Sequence, residues 1–126
     1  MNWFSYGVAL LVAAAIIVLG VMYLSNPRAA TKSFGLPLPE EGPNVAWWLR
    51  LKGMRDVVSG LVVLAMVAWA QPRLLGVVLL IRAITPIGDM SMILMSKGSV
   101  ARAFGIHGLT AAVMILGAVP LLIGLA

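Results

Sequence analysis

The chain has 126 residues, of which 62% are hydrophobic and only 10% are charged. Soluble domains have roughly 45–50% apolar and about 25% charged residues, so this composition indicates a small integral membrane protein with one domain. The formal net charge of +5 comes from scattered basic residues rather than a basic tail, which argues against a nucleic-acid partner. Cysteine is absent, which excludes disulfides, thiolate chemistry and cysteine-ligated metals.

Four apolar segments are long enough to cross a bilayer, because a spanning helix needs about 20 mostly apolar residues. The predicted spans are residues 4–24, 45–70, 73–95 and 99–123. Pro27 ends the first span, and residues 71–73 and 96–99 form tight turns between the later ones. The sequence therefore predicts an all-α fold, a single transmembrane four-helix bundle over residues 1–126. Its turns are short between helices 2–3 and 3–4, and one longer proline-rich loop joins helices 1–2.

Basic residues favour one end of this predicted bundle. Arg28, Lys32 and Lys97 lie in the first and third connections, whereas the second connection holds only Arg73. By the positive-inside rule, both termini are expected on the non-cytoplasmic side, and the expected location is the bacterial inner (plasma) membrane. The expected partners are membrane lipid, a lipophilic small molecule and a second copy of the chain in a homo-oligomer.

The long connection, residues 25–44, is rich in proline and reads "SFGLPLPEEGPN" in its second half. One interpretation is a surface loop stiffened by its prolines. The other is a lid over the cytoplasmic end of the bundle, with Phe34, Leu36 and Leu38 dipping into the interface.

The third helix carries polar residues where a membrane disfavours them, in "LLIRAITPIGDM". At about 1.5 Å per residue, Arg82 lies roughly 14 Å from the outer end of the helix and Asp89 about 10 Å deeper. Seven residues is nearly two turns, so both share one face, with Thr85 between them. Pro86 cannot donate to the carbonyl of Arg82, which predicts a kink there.

Two other helices bring polar groups to a similar depth. The second helix has a stripe of residues spaced by three and four, which therefore cluster on one side: Lys52, Arg55, Asp56 and Ser59. The fourth helix supplies His107, with Thr110 one turn further along the same face. The first helix has no charge and is predicted to be an apolar wall.

Charges at mid-membrane cost roughly 2.5–3.5 kcal/mol each on insertion scales, so they must pair or line a cavity. In the structural interpretation, Arg55 and Arg82 pair with Asp56 and Asp89 and fix the helix register. In the functional interpretation, the polar groups line a pocket. Its candidate catalytic residues are Asp89, Asp56 and His107, and its candidate substrate-binding residues are Arg55, Arg82, Ser59, Thr85 and Thr110. No metal-binding spacing such as HExxH or DxD occurs, so neither a metal nor another cofactor is expected.

Three motifs together, "RLKGMRD", "RAITPIGD" and "IHG", resemble a family of small four-helix membrane proteins filed as a domain of unknown function, adjacent to the DoxX-like bundles. The resemblance covers about residues 45–110. It implies a four-helix bundle, and DoxX-like relatives are associated with quinone chemistry. The residues that match the motif positions are Arg55, Asp56, Arg82, Asp89 and His107, and no catalytic role transfers with them.

The favoured function is binding of a lipophilic small molecule in a polar intramembrane pocket. The bound molecule could also undergo acid–base catalysis, in which case the protein is an isomerase, a hydratase or an epoxide-opening hydrolase or cyclase. Whether the protein is an enzyme stays open. The alternative is a non-enzymatic membrane subunit or oligomeric scaffold whose buried Arg/Asp pairs are structural. A continuous ion path is disfavoured because the outer half of the bundle has few polar residues.

Overall fold

The computed structural model describes residues 2–124, and this part of the chain is helical without strands, which confirms the predicted all-α class. Its elements are α1 (Trp3–Ser25), α2 (Pro27–Lys32), α3 (Val45–Trp69), α4 (Pro72–Arg82), α5 (Ile84–Met95), α6 (Val100–Arg102), a π-helical segment (Ala103–Gly108) and α7 (Leu109–Leu122). The four long helical stretches begin and end within one residue of the predicted segments. The short helix α2 and the π-helical segment were not predicted.

Side-chain caps explain several helix starts. The Asn2 carboxamide accepts a hydrogen bond from the backbone N–H of Ser5 at the start of α1. Asn26 caps α2 in the same way, and Pro27 occupies the first position of that helix, where its missing N–H has no cost. The hydroxyl of Ser99 accepts from the N–H of Arg102 and so begins the last helical stretch.

Three helical stretches are long and apolar enough to cross a membrane: Trp3–Ser25, Pro72–Met95 and Val100–Leu122. This is consistent with an integral membrane protein. The fourth long helix, α3, has 25 residues, but its first half carries the charged residues Arg50, Lys52, Arg55 and Asp56. Tryptophans near the helix ends, among them Trp3 and Trp69, are largely exposed on the outside of the protein.

α1 packs against α3 and α7, and α7 also packs against α4. Close approach depends on small residues: a Cβ at Gly60 would meet Ile17 and the Ala13 carbonyl, and one at Gly117 would meet Val8. The core that these helices share consists of Ala9, Ala13, Val63, Leu75, Leu79, Ala118 and Leu121.

Two irregularities of the helices shape the region between α3 and α5. The helix is interrupted at Ala83, three residues before Pro86, because Pro86 cannot donate to the carbonyl of Arg82. In addition, α3 packs against α4 but makes almost no contact with α5, although all three helices are fully described. A cleft therefore separates α3 from α5 in the half of the protein that contains the long loop.

Candidate functional site

A pocket of about 160 Å³ lies between α3 and α5, and its lining is mostly apolar. The wall includes side chains from α1, α2, α3, α5 and the loop: Tyr23, Thr31, Phe34, Leu36, Leu49, Lys52, Asp89 and Met92. Ligand sites for drug-sized molecules are usually about 300–1,000 Å³, with apolar walls and a few polar groups. The lining has this character, and the smaller volume suits a small ligand or one end of a longer one.

Lys52 is the cationic group of the pocket. Its Nζ lies 2.8 Å from Oδ2 of Asp56, four residues along the same helix. The same ammonium stands 4.2 Å from the ring centroid of Tyr23 and 5.0 Å from that of Phe34. Aromatic faces attract cations most strongly where water is excluded, so these two rings and the carboxylate hold the ammonium at the pocket wall.

Asp89 is part of the pocket wall and faces His107. Oδ2 of Asp89 lies 3.8 Å from Nδ1 of His107. This distance is too long for a direct hydrogen bond. The carboxyl group of Asp89 makes no hydrogen bond with any residue in the range 2–124. The carboxyl group therefore keeps its hydrogen-bonding capacity for whatever occupies the pocket.

The proton on His107 can be placed by its other contact. Nε2 lies 2.8 Å from the backbone carbonyl oxygen of Phe34, which can only accept, so Nε2 donates. In the neutral ring Nδ1 is then an acceptor and would face the Asp89 carboxylate, which is also an acceptor. The contact is attractive only if the pair holds one further proton, on Nδ1 or on the carboxyl group. This contact, the one-proton pair, is thus attractive when one proton is held between Nδ1 of His107 and Oδ2 of Asp89.

The π-helical segment places His107 beside two pocket residues, Asp89 and Phe34. A π-helical turn inserts an extra residue into a helix and is frequent at functional sites. The imidazole is buried, and its centroid lies 4.4 Å from that of the Phe34 ring at an interplanar angle of 52°. The packing and the hydrogen bond together fix the orientation of the imidazole.

The long loop covers the pocket and is tied to the last helical stretch. The carbonyl oxygen of Gly35, at a φ of 113°, accepts from the N–H of Ser99 at 2.8 Å. Nη1 of Arg102 donates to the carbonyl oxygen of Lys32 at 2.9 Å. Phe34 and Leu36 line the pocket, in agreement with the lid interpretation. Leu38 is 62% exposed and lies outside the pocket lining.

The structure brings three predicted site residues, Asp56, Asp89 and His107, to the pocket or its immediate neighbours. Arg82 and Ser59 are partly buried, and their side chains have no hydrogen bond or ion pair within the described chain. Three others are exposed: Arg55, Thr85 and Thr110. Thr110 donates its hydroxyl proton to the carbonyl of Ile106.

The predicted pairing of arginines with aspartates is wrong. Lys52 takes the carboxylate of Asp56, because four residues on a helix bring the two side chains together. Asp89 faces His107 instead of Arg82. Seven residues separate Arg82 from Asp89, which is about 10 Å along the helix axis and beyond the reach of an ion pair.

Sequence reasoning missed several pocket residues. Leu49 and Met92 each lie three residues from a predicted polar residue, one helical turn away, so the helix period could have indicated them. Tyr23 and Thr31 have no such signal, because they reach the pocket through the packing of α1 and α2. Across residues 2–124, no group of three His, Asp or Glu side chains is placed to hold a metal ion.

The sequence profile of the family described as Domain of unknown function (DUF4267) matches residues 13–122, and the chain belongs to this family. This confirms the predicted resemblance to a domain of unknown function. No curated protein and no solved structure matches the chain.

Proposed function

We propose that this DUF4267 protein is a four-span membrane bundle that binds a lipophilic small molecule in the pocket between α3 and α5. In this arrangement α3 is the fourth span, both termini face away from the cytoplasm, and the membrane is the bacterial inner membrane. The observation that carries the proposal is an apolar pocket with one carboxyl group, Asp89, that has no hydrogen bond within the described chain. Such a group is costly in an apolar setting unless a ligand or water satisfies it.

The charged residues of α3 do not prevent it from spanning. Lys52 and Asp56 neutralise each other at the pocket, and Arg50 donates from Nε to the carbonyl oxygen of Leu24 at the end of α1. Among the charged residues of α3, only Arg55 is exposed and has no side-chain partner within the described chain. Long arginine side chains extend toward the interface and so reduce the cost of such a position.

The pocket also has the groups that acid–base chemistry requires, and we extend the proposal to such a reaction. The Asp89–His107 pair can take a proton from one atom of the ligand and return it to another, while Lys52 stabilises negative charge on a ligand oxygen. Proton count and charge then balance without a co-reactant. Isomerisation and the intramolecular opening of an epoxide satisfy this balance, whereas hydration also consumes a water molecule.

The non-enzymatic alternative depended on buried Arg/Asp pairs acting as structural links. Arg55 and Arg82 have no such pairs in the described structure, so this alternative loses the observation that favoured it.

Native mass spectrometry of the protein released from membranes tests the proposal, with bound small molecules identified after extraction. We expect a bound lipophile in the wild type and its loss in Asp89→Asn and Lys52→Met. The matched controls are Glu41→Gln and Lys97→Met, which make the same charge changes at exposed positions and should retain it. An empty wild-type protein, or one whose bound molecules are unchanged in Asp89→Asn and Lys52→Met, would refute the proposal.

A further inference from the structure

Each wall of the cleft contributes two residues, three positions apart, to the pocket. Leu49 and Lys52 of α3 line the pocket together with Met92 and Asp89 of α5. The chain reverses between α3 and α4, so the α4–α5 stretch runs antiparallel to α3. Along α3 the pocket residues run from Leu49 to Lys52. Along the antiparallel α5 they run in the same direction in space from Met92 back to Asp89.

The same spacing continues toward the midplane. Four residues further along α3 is Asp56, and four residues further back along α5 is Thr85. The next step of three reaches Ser59 on α3 and Arg82 at the end of α4. Since each step is about one helical turn, these residues stay on the same flanks as the pocket residues. A polar line therefore extends from the pocket along both walls, and Arg82 and Ser59 lie at its far end.

Arg82 has the only guanidinium on these two lines, and it is partly buried with no hydrogen bond or ion pair in the described chain. Asp56, which lies one turn closer to the pocket than Ser59, already forms an ion pair with Lys52. The hydroxyl of Ser59 has no hydrogen-bond partner among the described residues either. A guanidinium binds carboxylate and phosphate groups through two parallel hydrogen bonds, and a hydroxyl can add a third donor.

We propose that Arg82 and Ser59 bind the anionic oxygen group, a carboxylate or phosphate, of a lipophile whose other end occupies the pocket at Lys52 and Asp89. This inference rests on the proposed lipophile-binding function and adds the ligand's charge and length. Seven residues separate Arg82 from Asp89, so the anionic group lies about 10 Å from the part of the ligand at the one-proton pair. The ligand enters from the side, through the gap between α3 and α5.

Binding of dodecanoic acid and of its methyl ester to the protein in nanodiscs of zwitterionic lipid tests this, at mildly alkaline pH. We expect the wild type to bind the acid on the order of 10-fold to 100-fold more tightly than the ester, as a charge-assisted hydrogen bond would give. Arg82→Gln should remove this preference while the ester still binds, and Arg82→Lys should retain part of it. Arg73→Gln makes the same change at an exposed position near the start of α4 and should behave as the wild type.

Equal binding of acid and ester by the wild type, or an unchanged preference in Arg82→Gln, would overturn the inference and leave the pocket proposal standing. If neither compound binds and Lys52→Met releases nothing from membranes, both proposals fail. Nanodiscs that contain phosphatidylglycerol separate the two sources of the anion. Competition by that lipid assigns the site to a membrane phospholipid, and its absence assigns the site to a free carboxylate.

Discussion

Gly53 lies where α1 and α3 meet backbone to backbone, and replacing it with alanine tests both the packing and the pocket. A Cβ at this position would lie 2.6 Å from the Gly20 carbonyl oxygen and 2.8 Å from Cβ of Tyr23. The contact must lengthen by roughly 0.8 Å to reach the ordinary limit of 3.4 Å. Both contacted atoms belong to the backbone or are attached to it, so no side-chain rotation relieves the overlap and the helices must separate.

Two opposing contributions determine how Gly53→Ala changes the free energy of unfolding. Overpacking typically costs about 1–3 kcal/mol, and two contacts below 3.0 Å place Gly53→Ala in the upper part of that range. Alanine regains about 0.5–1 kcal/mol of helix propensity. We therefore expect a net loss of about 1–2 kcal/mol in the free energy of unfolding. Separation of the helices also moves Tyr23 away from Lys52, so ligand binding should weaken in the same variant.

Unfolding by sodium dodecyl sulfate in mixed micelles, followed by tryptophan fluorescence, measures this change. The matched control is Gly7→Ala in α1, where a new Cβ meets nothing within 4 Å and helix propensity alone should stabilise by about 0.5–1 kcal/mol. The two variants thus differ in the sign of their effect. Equal stability of the two variants would refute the close approach of α1 and α3.

Two further predictions concern the loop and the orientation. In His107→Ala the Phe34 carbonyl of the loop loses its hydrogen bond from Nε2 of His107, so hydrogen exchange of residues 32–36 should accelerate by on the order of 10-fold, in line with a loss of about 1 kcal/mol. Unchanged exchange would contradict this tether. Since the chain has no cysteine, Lys97→Cys and Gln71→Cys are single labelling sites. A membrane-impermeant maleimide added to spheroplasts should label Gln71→Cys and spare Lys97→Cys, and the reverse pattern would invert the proposed orientation.

The helix limits could be predicted from sequence because hydrophobic length and proline placement determine them locally. The first span ends before Pro27 and Pro72 begins α4, both as expected, and the missing N–H of Pro86 explains the interruption at Ala83. The pocket residues on α3 and α5 follow from helix periodicity in the same way. These features depend on residues within one or two turns of each other.

The Lys52–Asp56 ion pair follows from a spacing of four residues on one helix. The contact of Asp89 with His107 could not be predicted, because it depends on the distance between two helices. The π-helical segment gives no local signal in "AFGIHG", yet it brings His107 to Asp89 and to the Phe34 carbonyl. The loop contacts likewise join residues that are distant along the chain.

The separation between Phe34 and His107, 73 residues, has a consequence for biosynthesis. The ribosome makes the first helical hairpin and its loop long before the last helix leaves the exit tunnel, and a chain grows at about 5–20 residues per second. During that interval of several seconds the loop has no Ser99, Arg102 or His107 to hold it. A chain truncated before the last helix would contain the loop but not the groups that hold it, and Asp89 would have no His107 to face. The pocket is therefore completed only after the final segment has been made.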